Sequence, residues 1–501
     1  MKANWIFIAG MMLVASCSDS ESKPPATPAS GEDDPIEEVV AEPFRANRLL
    51  IKHGLQLQCW VATDNYELGG AAGQPAYNML PSDWALTGFT GPTFFGPPLI
   101  NPSYFESFPE SQWAIAKAPH GDQLDVEPTD YEQRNGYLSD EQKAHIDKLT
   151  TVCFGDEEAY SYELVGKLKA WYDLSRRLYP DVLVHNNQYI GQWTESNMRT
   201  YIREAKPDLI TYDWYYFHTS DPATYIGARD MAEDLQIYRN LALEGWNGDK
   251  SDYLAFGQYI LGFANEGTYR PTESQLRLYY YLTWTLGGKW INWFRYLQGD
   301  GYGGKTAPTQ WALLLENGMP GQPTHYMDWV NLCNTESKYI GDYLVRLKTT
   351  DVRYVAGSDK YTEGKPGNIG DFSPSASYIK TISAEIPDEP GQGTDLYLGF
   401  FGIIPEEEQG DPGFFREGED KFFMITNGWA SMTVQTAEDL SQKIRFAIDM
   451  EEAGAASCAW INPHTGQREV LNPVEQTDGL TYYEVELWGG SGALFMLNAE
   501  S

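Results

Sequence analysis

The sequence predicts an α/β protein: a (β/α)8 barrel followed by an antiparallel β-sandwich. Three observations predict it. Between residue 150 and about 350, short apolar runs alternate with amphipathic helical stretches. Those runs carry apolar or aromatic residues on both faces, as parallel strands covered by helices do. Beyond residue 351 the helical period gives way to short strand-like runs cut by Gly, Pro and Asp.

Taken in order, QLQCWVA, WALTGFTG and WAIAKAP are expected to supply the first three barrel strands, with irregular connections. TVCFGD reads as the fourth. In SYELVGKLKAWYDLSRRLYPD, Leu164, Leu168, Trp171, Leu174 and Leu178 mark one helical face. DVLVHNN, LITYDWYYF, YLAFGQYILGF and KWINWFRY complete the eight strands. The helices between and after them are NMRTYIREAKPD, ARDMAEDLQIYRNLALEG, PTESQLRLYYYLTWTLGG and HYMDWVNLCNTESKYIGDYLVRL. Thr272 and Gln275, after Pro271, have the spacing of a capping box. An open doubly wound sheet would show a glycine fingerprint after its first strand, and none stands there. The barrel is expected over residues 45–350. The sandwich is expected over 351–501, built from DLYLGFFGI, DKFFMITNG, KIRFAID, SCAWINP, TYYEVEL and GALFML.

The N-terminus has a different character. Lys2, an apolar run over 5–15 and V-A-S-C at 14–17 read as an export signal, too short to span a bilayer. The V-A-S-C ending resembles a bacterial lipobox, which implies that residues 1–17 are a lipoprotein signal and that Cys17 is lipidated. Residues 18–44 are rich in Ser, Pro and acid and are expected to form a flexible tether. An exported protein anchored at the outer membrane, facing the periplasm or the cell surface, is the expectation. Net charge is −35, which disfavours nucleic acid and anionic membrane surfaces as partners. Membrane contact is expected only through the lipid. Cys59, Cys153, Cys333 and Cys458 lack CxxC spacing, so buried free thiols are expected and zinc is not.

Chemistry in such a barrel collects where strands end. Asp156, Glu157 and Glu158 follow the fourth strand; His185, Asn186, Asn187, Gln188 and Tyr189 end the fifth. Asp213 ends the sixth among Tyr212, Trp214, Tyr215 and Tyr216. The seventh carries Gln258, with Glu266 farther along, and the eighth carries Asn292, Trp293 and Arg295. Carboxylates, amides and aromatics with few cations describe a site for a neutral sugar, whose apolar ring faces stack on aromatic planes. Cleaving a glycosidic bond needs one protonated carboxyl and a second carboxylate. Glu157 is the candidate acid, Asp213 the candidate opposing carboxylate, and Glu266 the alternative. Asp156, Asn187, Tyr189, Trp214, Tyr215, Gln258 and Trp293 are candidate sugar contacts. No cofactor or metal is expected.

Residues 50–345 resemble the TIM-barrel glycoside hydrolases of the β-galactosidase and cellulase superfamily. There the acid is a Glu after the fourth strand, usually behind Asn, and the nucleophile a Glu after the seventh. Glu157 matches the first position with Asp156 in place of Asn, while Gln258 stands where the nucleophile is expected. YRPTESQLRLYYYLTWTLGGKWINWFRY and GGSGALFML also look like segments of bacterial barrel glycosidases. The resemblance implies hydrolysis of oligo- or polysaccharide, and the mismatch at Gln258 favours Asp213.

Plainer roles compete. Glu158 is expected to favour the N-terminus of the following helix through the macrodipole, and Trp193, Trp214 and Trp293 are equally suited to core packing. GDGYGG at 299–304 fits G-x-G-x-x-G, but KTAPTQ behind it opens no helix, so it reads as a loop. A non-catalytic glycan-binding lipoprotein is the main alternative. A polysaccharide lyase is another, disfavoured because strand-end cations other than His185 and Arg295 are missing.

Overall fold

A computed structural model describes residues 42–61, 80–100, 102–120, 124–219, 227–265, 269–296, 310–316, 322–411 and 413–498. The export signal, Cys17, the tether up to residue 41, Glu266 and GDGYGG lie outside the described residues. Ala41–Ser501 form one compact unit.

The barrel strands are β1 (Gln56–Val61), β2 (Gly91–Phe95), β3 (Trp113–Ala118), β4 (Leu149–Phe154), β5 (Leu183–His185), β6 (Asn187–Tyr189), β7 (Leu209–Asp213), β8 (Ala255–Leu261) and, after the short β9 (Phe263–Asn265), β10 (Trp290–Phe294). Their order is β5-β4-β3-β2-β1-β10-β8-β7-β6, and every pairing is parallel. β5 and β6 are two halves of one strand, broken at Asn186. The first half pairs with β4 and the second with β7, which brings the ends of the sheet round to the same strand. The result is the expected eight-stranded barrel.

One strand departs from expectation. WALTGFTG does not form β2: Pro81–Ala85 is a short helix with Pro81 in its first turn, and the strand is GPTFF, five residues all buried. Proline presets the helical φ at that position, and Gly91 touches the Gln112 carbonyl so closely that a side chain would not fit.

Helix α1 (Arg45–His53) precedes β1. α2 (Tyr162–Leu178) buries Leu164, Leu168, Trp171 and Leu174 and half-buries Leu178, the face read from the sequence. α3 (Glu195–Ala205) and α4 (Ala228–Glu244) follow β6 and β7. α5 (Glu273–Leu286) is buried along all fourteen residues. Its Gln275 Oε1 accepts the Thr272 N–H at 3.0 Å, while the Thr272 hydroxyl donates to the Ser431 carbonyl at 2.7 Å. α6 (His325–Leu344) closes the barrel portion, after the short β11 (Gln310–Ala312), β12 (Leu315–Glu316) and β13 (Gln322–Pro323).

The remaining strands form two sheets. One has the order β15-β14-β17-β18-β24-β20-β21 and the other β16-β19-β23-β22. They comprise β14 (Leu347–Val355), β15 (Gly370–Asp371), β16 (Ile379–Glu385), β17 (Leu396–Ile403), β18 (Glu419–Asn427), β19 (Gln442–Asp449), β20 (Ser457–Ile461), β21 (Arg468–Val470), β22 (Glu475–Thr477), β23 (Leu480–Leu487) and β24 (Gly492–Asn498). All pair antiparallel except β14 with β15. Alternation explains why β18 and β24 read as unbroken apolar runs. Phe423, Ile425, Phe495 and Leu497 face the sandwich core, whereas Phe422, Met424, Leu494 and Met496 join the barrel core. α5 is buried all round because it packs against both β8 of the barrel and β17 and β18 of the sheet, with Arg277 neutralised by Glu273 and Glu336. A Cβ at Gly399 would meet the Thr285 carbonyl at 2.0 Å, so helix and sheet touch backbone to backbone.

All four described cysteines are free and buried. No described helix is long and apolar enough to cross a membrane.

Candidate active site at the mouth of the barrel

Period two decides which strand residues look into the barrel. From β1, Gln58 and Trp60 face inward; from β10, Trp290, Asn292 and Phe294; from β8, Tyr259. Gln58 meets Thr150, Thr151 and the Trp290 indole at 2.9–3.0 Å, and Asn292 donates to Thr93 at 2.8 Å. Above this polar floor Trp60, Tyr259 and Phe294 are in edge or tilted contact, and Tyr215 stacks on Phe294 at 6.0 Å.

The same parity corrects two expected sugar contacts. Gln258 points out to the helices: its Nε2 donates to Thr283 Oγ1 at 2.7 Å and its Oε1 accepts from the Tyr212 hydroxyl at 3.1 Å. Trp293 is fully buried on the outer side, with its indole N–H on the Arg295 carbonyl at 3.2 Å. Neither reaches the mouth; of their neighbours in sequence, Phe294 is half-buried there, and Tyr259 is buried against Trp60. Trp193 is also core, and its indole N–H holds the Glu158 carbonyl at 2.8 Å. Trp214 is half-buried, and Tyr189 is exposed at the rim.

The carboxylates meet on one side of the mouth. The Asn187 Nδ2 donates both to Asp156 Oδ1 at 3.0 Å and to Asp213 Oδ1 at 2.8 Å. Its amide is oriented by Thr211, whose hydroxyl donates to Asn187 Oδ1 at 3.1 Å and accepts from His185 Nδ1 at the same distance. Burial pushes the His185 imidazole down to about 3, so it is a neutral donor here and not the cation expected from its position.

Glu157 stands at φ 57°, a left-handed conformation that costs energy for a residue with a side chain. Its N–H is held by the Asn187 carbonyl at 3.0 Å. Glu157 is exposed as a residue, yet its carboxyl turns in to share a hydrogen bond with Asp213. Burial, then the Glu157 and Asp156 charges, push the Asp213 carboxyl well above the usual range. Burial and the Asp156 charge raise Glu157 as well, while Asp213 and Lys117 oppose the shift. Burial raises Asp156 too, against Lys117 and Asn187. Asp213, expected as the opposing carboxylate, therefore does not stand across a sugar-sized gap from Glu157. Two raised carboxyls in hydrogen-bond contact hold a proton between them, because like charges at that range do not both ionise.

Glu158 does not serve the helix N-terminus. α2 starts at Tyr162, with Ser161 Oγ accepting the Leu164 N–H at 3.0 Å. Instead Glu158 folds back: Oε1 accepts the Asp156 N–H at 2.9 Å and Oε2 the Asn186 amide at 3.1 Å. Its carboxylate fills the space a Cβ would need at Gly155, itself at φ 67°.

Lys117, absent from the residues expected at the site, is the penultimate residue of β3, at φ 50°. Its Nζ lies 3.5 Å from Asp156 Oδ2 and 5.1 Å from the centre of the Phe95 ring. A lysine closing an apolar strand was the available signal. Among the described residues no group of three or more His, Cys, Asp or Glu has the arrangement of a metal site.

No protein-family model and no curated protein matches the sequence. Among solved structures, an endo-β-1,4-mannanase from Thermotoga petrophila aligns at 11% identity and TM-score 0.37, over 75% of this chain and 96% of its own. The catalytic domain of a chitinase from Pyrococcus furiosus aligns at 13% and 0.36, over 56% and 96%. A β-glucuronidase from Faecalibacterium prausnitzii aligns at 11% and 0.36, over 56% and 49%.

Proposed function

We propose that the protein is a glycoside hydrolase acting on oligo- or polysaccharide, with Glu157 as the proton donor. The observation that carries this reading is the hydrogen bond between Glu157 and Asp213 at a barrel mouth walled by Trp60, Tyr215, Tyr259 and Phe294. The pair, both carboxyls raised above the usual range, holds the proton that the leaving oxygen of a glycoside needs. Glu157, the exposed member, passes its proton to that oxygen as the bond to the anomeric carbon breaks. Asp213, the buried member, shares that proton with Glu157 beforehand, and the proton released by the attacking water recharges the pair. Water supplies the hydroxyl that ends on the anomeric carbon. Asp213 is thus the partner of the acid on the same side of the sugar, and its contact with Glu157 is shorter than the carboxyl separations of about 5–5.5 Å or 6.5–9.5 Å known for opposed pairs. The half-buried Tyr215 and Phe294, backed by the buried Trp60 and Tyr259, take the ring faces, and Asp156 and Asn187 hold the acid pair. Tyr189 and Trp214 stand at the rim as further contacts. Glu266 stays in reserve as the alternative carboxylate.

That same close contact favours a second reading, a glycan-binding protein without turnover. The two separate in one experiment. A panel of neutral plant and algal glycans is incubated with the wild type and with Glu157→Gln, and products and binding are both measured. Hydrolysis by the wild type, lost by at least 100-fold in the variant with binding kept, supports the enzyme. Binding without products in either form supports the second reading.

The V-A-S-C sequence and the tether behind it support export and lipid anchoring at Cys17, with the protein held at the outer membrane on its periplasmic or outer face. Labelling with a radioactive fatty acid, lost in Cys17→Ser, tests this.

A further inference from the structure

We propose that Lys117 positions the proton of this site: its ammonium, with the Asn187 amide, keeps Asp156 a carboxylate, so the single proton of the cluster is confined to Glu157 and Asp213. Hydrogen-bond accounting carries the assignment. Asp156 Oδ2 faces the Lys117 ammonium at 3.5 Å, and Oδ1 accepts from Asn187 Nδ2 at 3.0 Å. Both oxygens of Asp156 thus face donors, which favours its carboxylate form over the protonated one. The second hydrogen of the same Nδ2 goes to Asp213 Oδ1 at 2.8 Å. Thr211 fixes the amide so that its nitrogen, not its oxygen, faces the two acids. The contact between Asp213 and Glu157 joins two acceptors unless one of them is protonated. A proton is required there, and the donors on both oxygens of Asp156 disfavour one on that side.

The other titratable groups around the cluster do not compete for it. From β4 and the loop behind it, Cys153 is buried and stays a thiol, and Glu158 accepts donors on both oxygens. From β5, His185 is neutral. From β7, β8 and α4, burial pushes the phenols of Tyr215, Tyr259 and Tyr238 up. Lys117 itself rests against Phe95, with its side chain and that of Asp156 each 19% exposed, so water screens their attraction only in part.

The proposal takes its meaning for turnover from the hydrolase reading, but its test does not depend on turnover. In the full chain labelled with 13C at Asp and Glu carboxyls, Asp156 is identified by its loss in Asp156→Asn and titrated by NMR. In the unmodified protein its midpoint is expected to be the lowest of Asp156, Glu157 and Asp213. In Lys117→Met it is expected to rise by about 1–3 pH units, and in Lys117→Arg to return toward the original value. If glycosides are cleaved, the acid limb of kcat/KM should move upward in Lys117→Met, lowering turnover about tenfold per unit on that limb, and should return in Lys117→Arg. A midpoint for Asp156 above those of the other two in the unmodified protein overturns the proposal, whether or not the variants fold. So does an unmoved midpoint in Lys117→Met. Absence of glycoside cleavage by the wild type would sink the hydrolase reading and leave the titration to decide this one.

Discussion

Glu157, in the loop behind β4, and Asp213, the last residue of β7, share a hydrogen bond at the mouth of the barrel. Fifty-six positions apart in sequence, they are brought into contact by strand order alone, and Asn187 between them ties the pair to Asp156.

The first prediction concerns Asp213. Its carboxyl is raised in the folded protein, so between about pH 3.8 and that raised value the native state holds a proton the unfolded chain has released. Stability from this group therefore falls as pH rises through that window. Asp213→Asn removes the effect: the variant should melt higher than the wild type at pH 7, with the difference shrinking toward pH 3. Hydrolysis should drop by about 10²–10⁴-fold. Melting curves across pH, run beside activity, check both.

Asp208 predicts the opposite sign. Burial pushes its carboxyl up, but Arg45 at 2.5 Å, Arg176 at 3.1 Å and the Val184 N–H at 2.9 Å outweigh it and hold the group low. Its contribution is present above about pH 3.8 and is lost as pH falls through the depressed folded value. Asp208→Ala leaves two buried guanidinium groups facing each other and should cost about 3–5 kcal/mol at neutral pH, read by denaturant unfolding.

Parity gives a paired test. Phe294→Ala should weaken glycan binding by raising KM with little loss of stability. Trp293→Ala, one position back, should lower stability by about 3–5 kcal/mol with KM nearly unchanged in the folded fraction. Equal effects on KM would show that the inward face has been misassigned.

Much of this was legible in the sequence because period and chemistry agreed. Seven of the eight expected barrel runs contain most of a barrel strand, the eighth reaching β2 only at Gly91, and the acid cluster behind TVCF lies where a strand-end site should. The misreadings have physical causes. WALTGFTG was taken for a strand on its apolar content, although Pro81 starts a helix there. Gln258 and Trp293 were chosen for their side chains, whereas alternation along β8 and β10 turns them toward the helices. Glu158 was read by its nearness to a helix, but Gly155 opens a space that its carboxylate fills. Lys117 gave only one cation at a strand end, and pairing with Asp156 needs the fold.

Gly155 follows from the same geometry. At φ 67°, with the Glu158 carboxylate 2.0 Å from where a Cβ would lie, Gly155→Ala should displace Glu158 and free the Asp156 backbone. The expected result is a fall in kcat of about tenfold or more with KM little changed, since a small misplacement of a reacting group is costly. Steady-state kinetics on the folded variant measure it.

The role of Glu157 as proton donor is tested most directly by leaving-group dependence. Once the panel identifies the sugar, its aryl glycosides with aglycones of graded acidity are hydrolysed by the wild type and by Glu157→Gln. The wild type should show kcat/KM that hardly depends on the aglycone. The variant should stay near wild-type rates for the most acidic phenols and fall steeply, by about 10²-fold or more, for the least acidic. Parallel dependence in the two proteins would contradict the assignment of Glu157 as the acid.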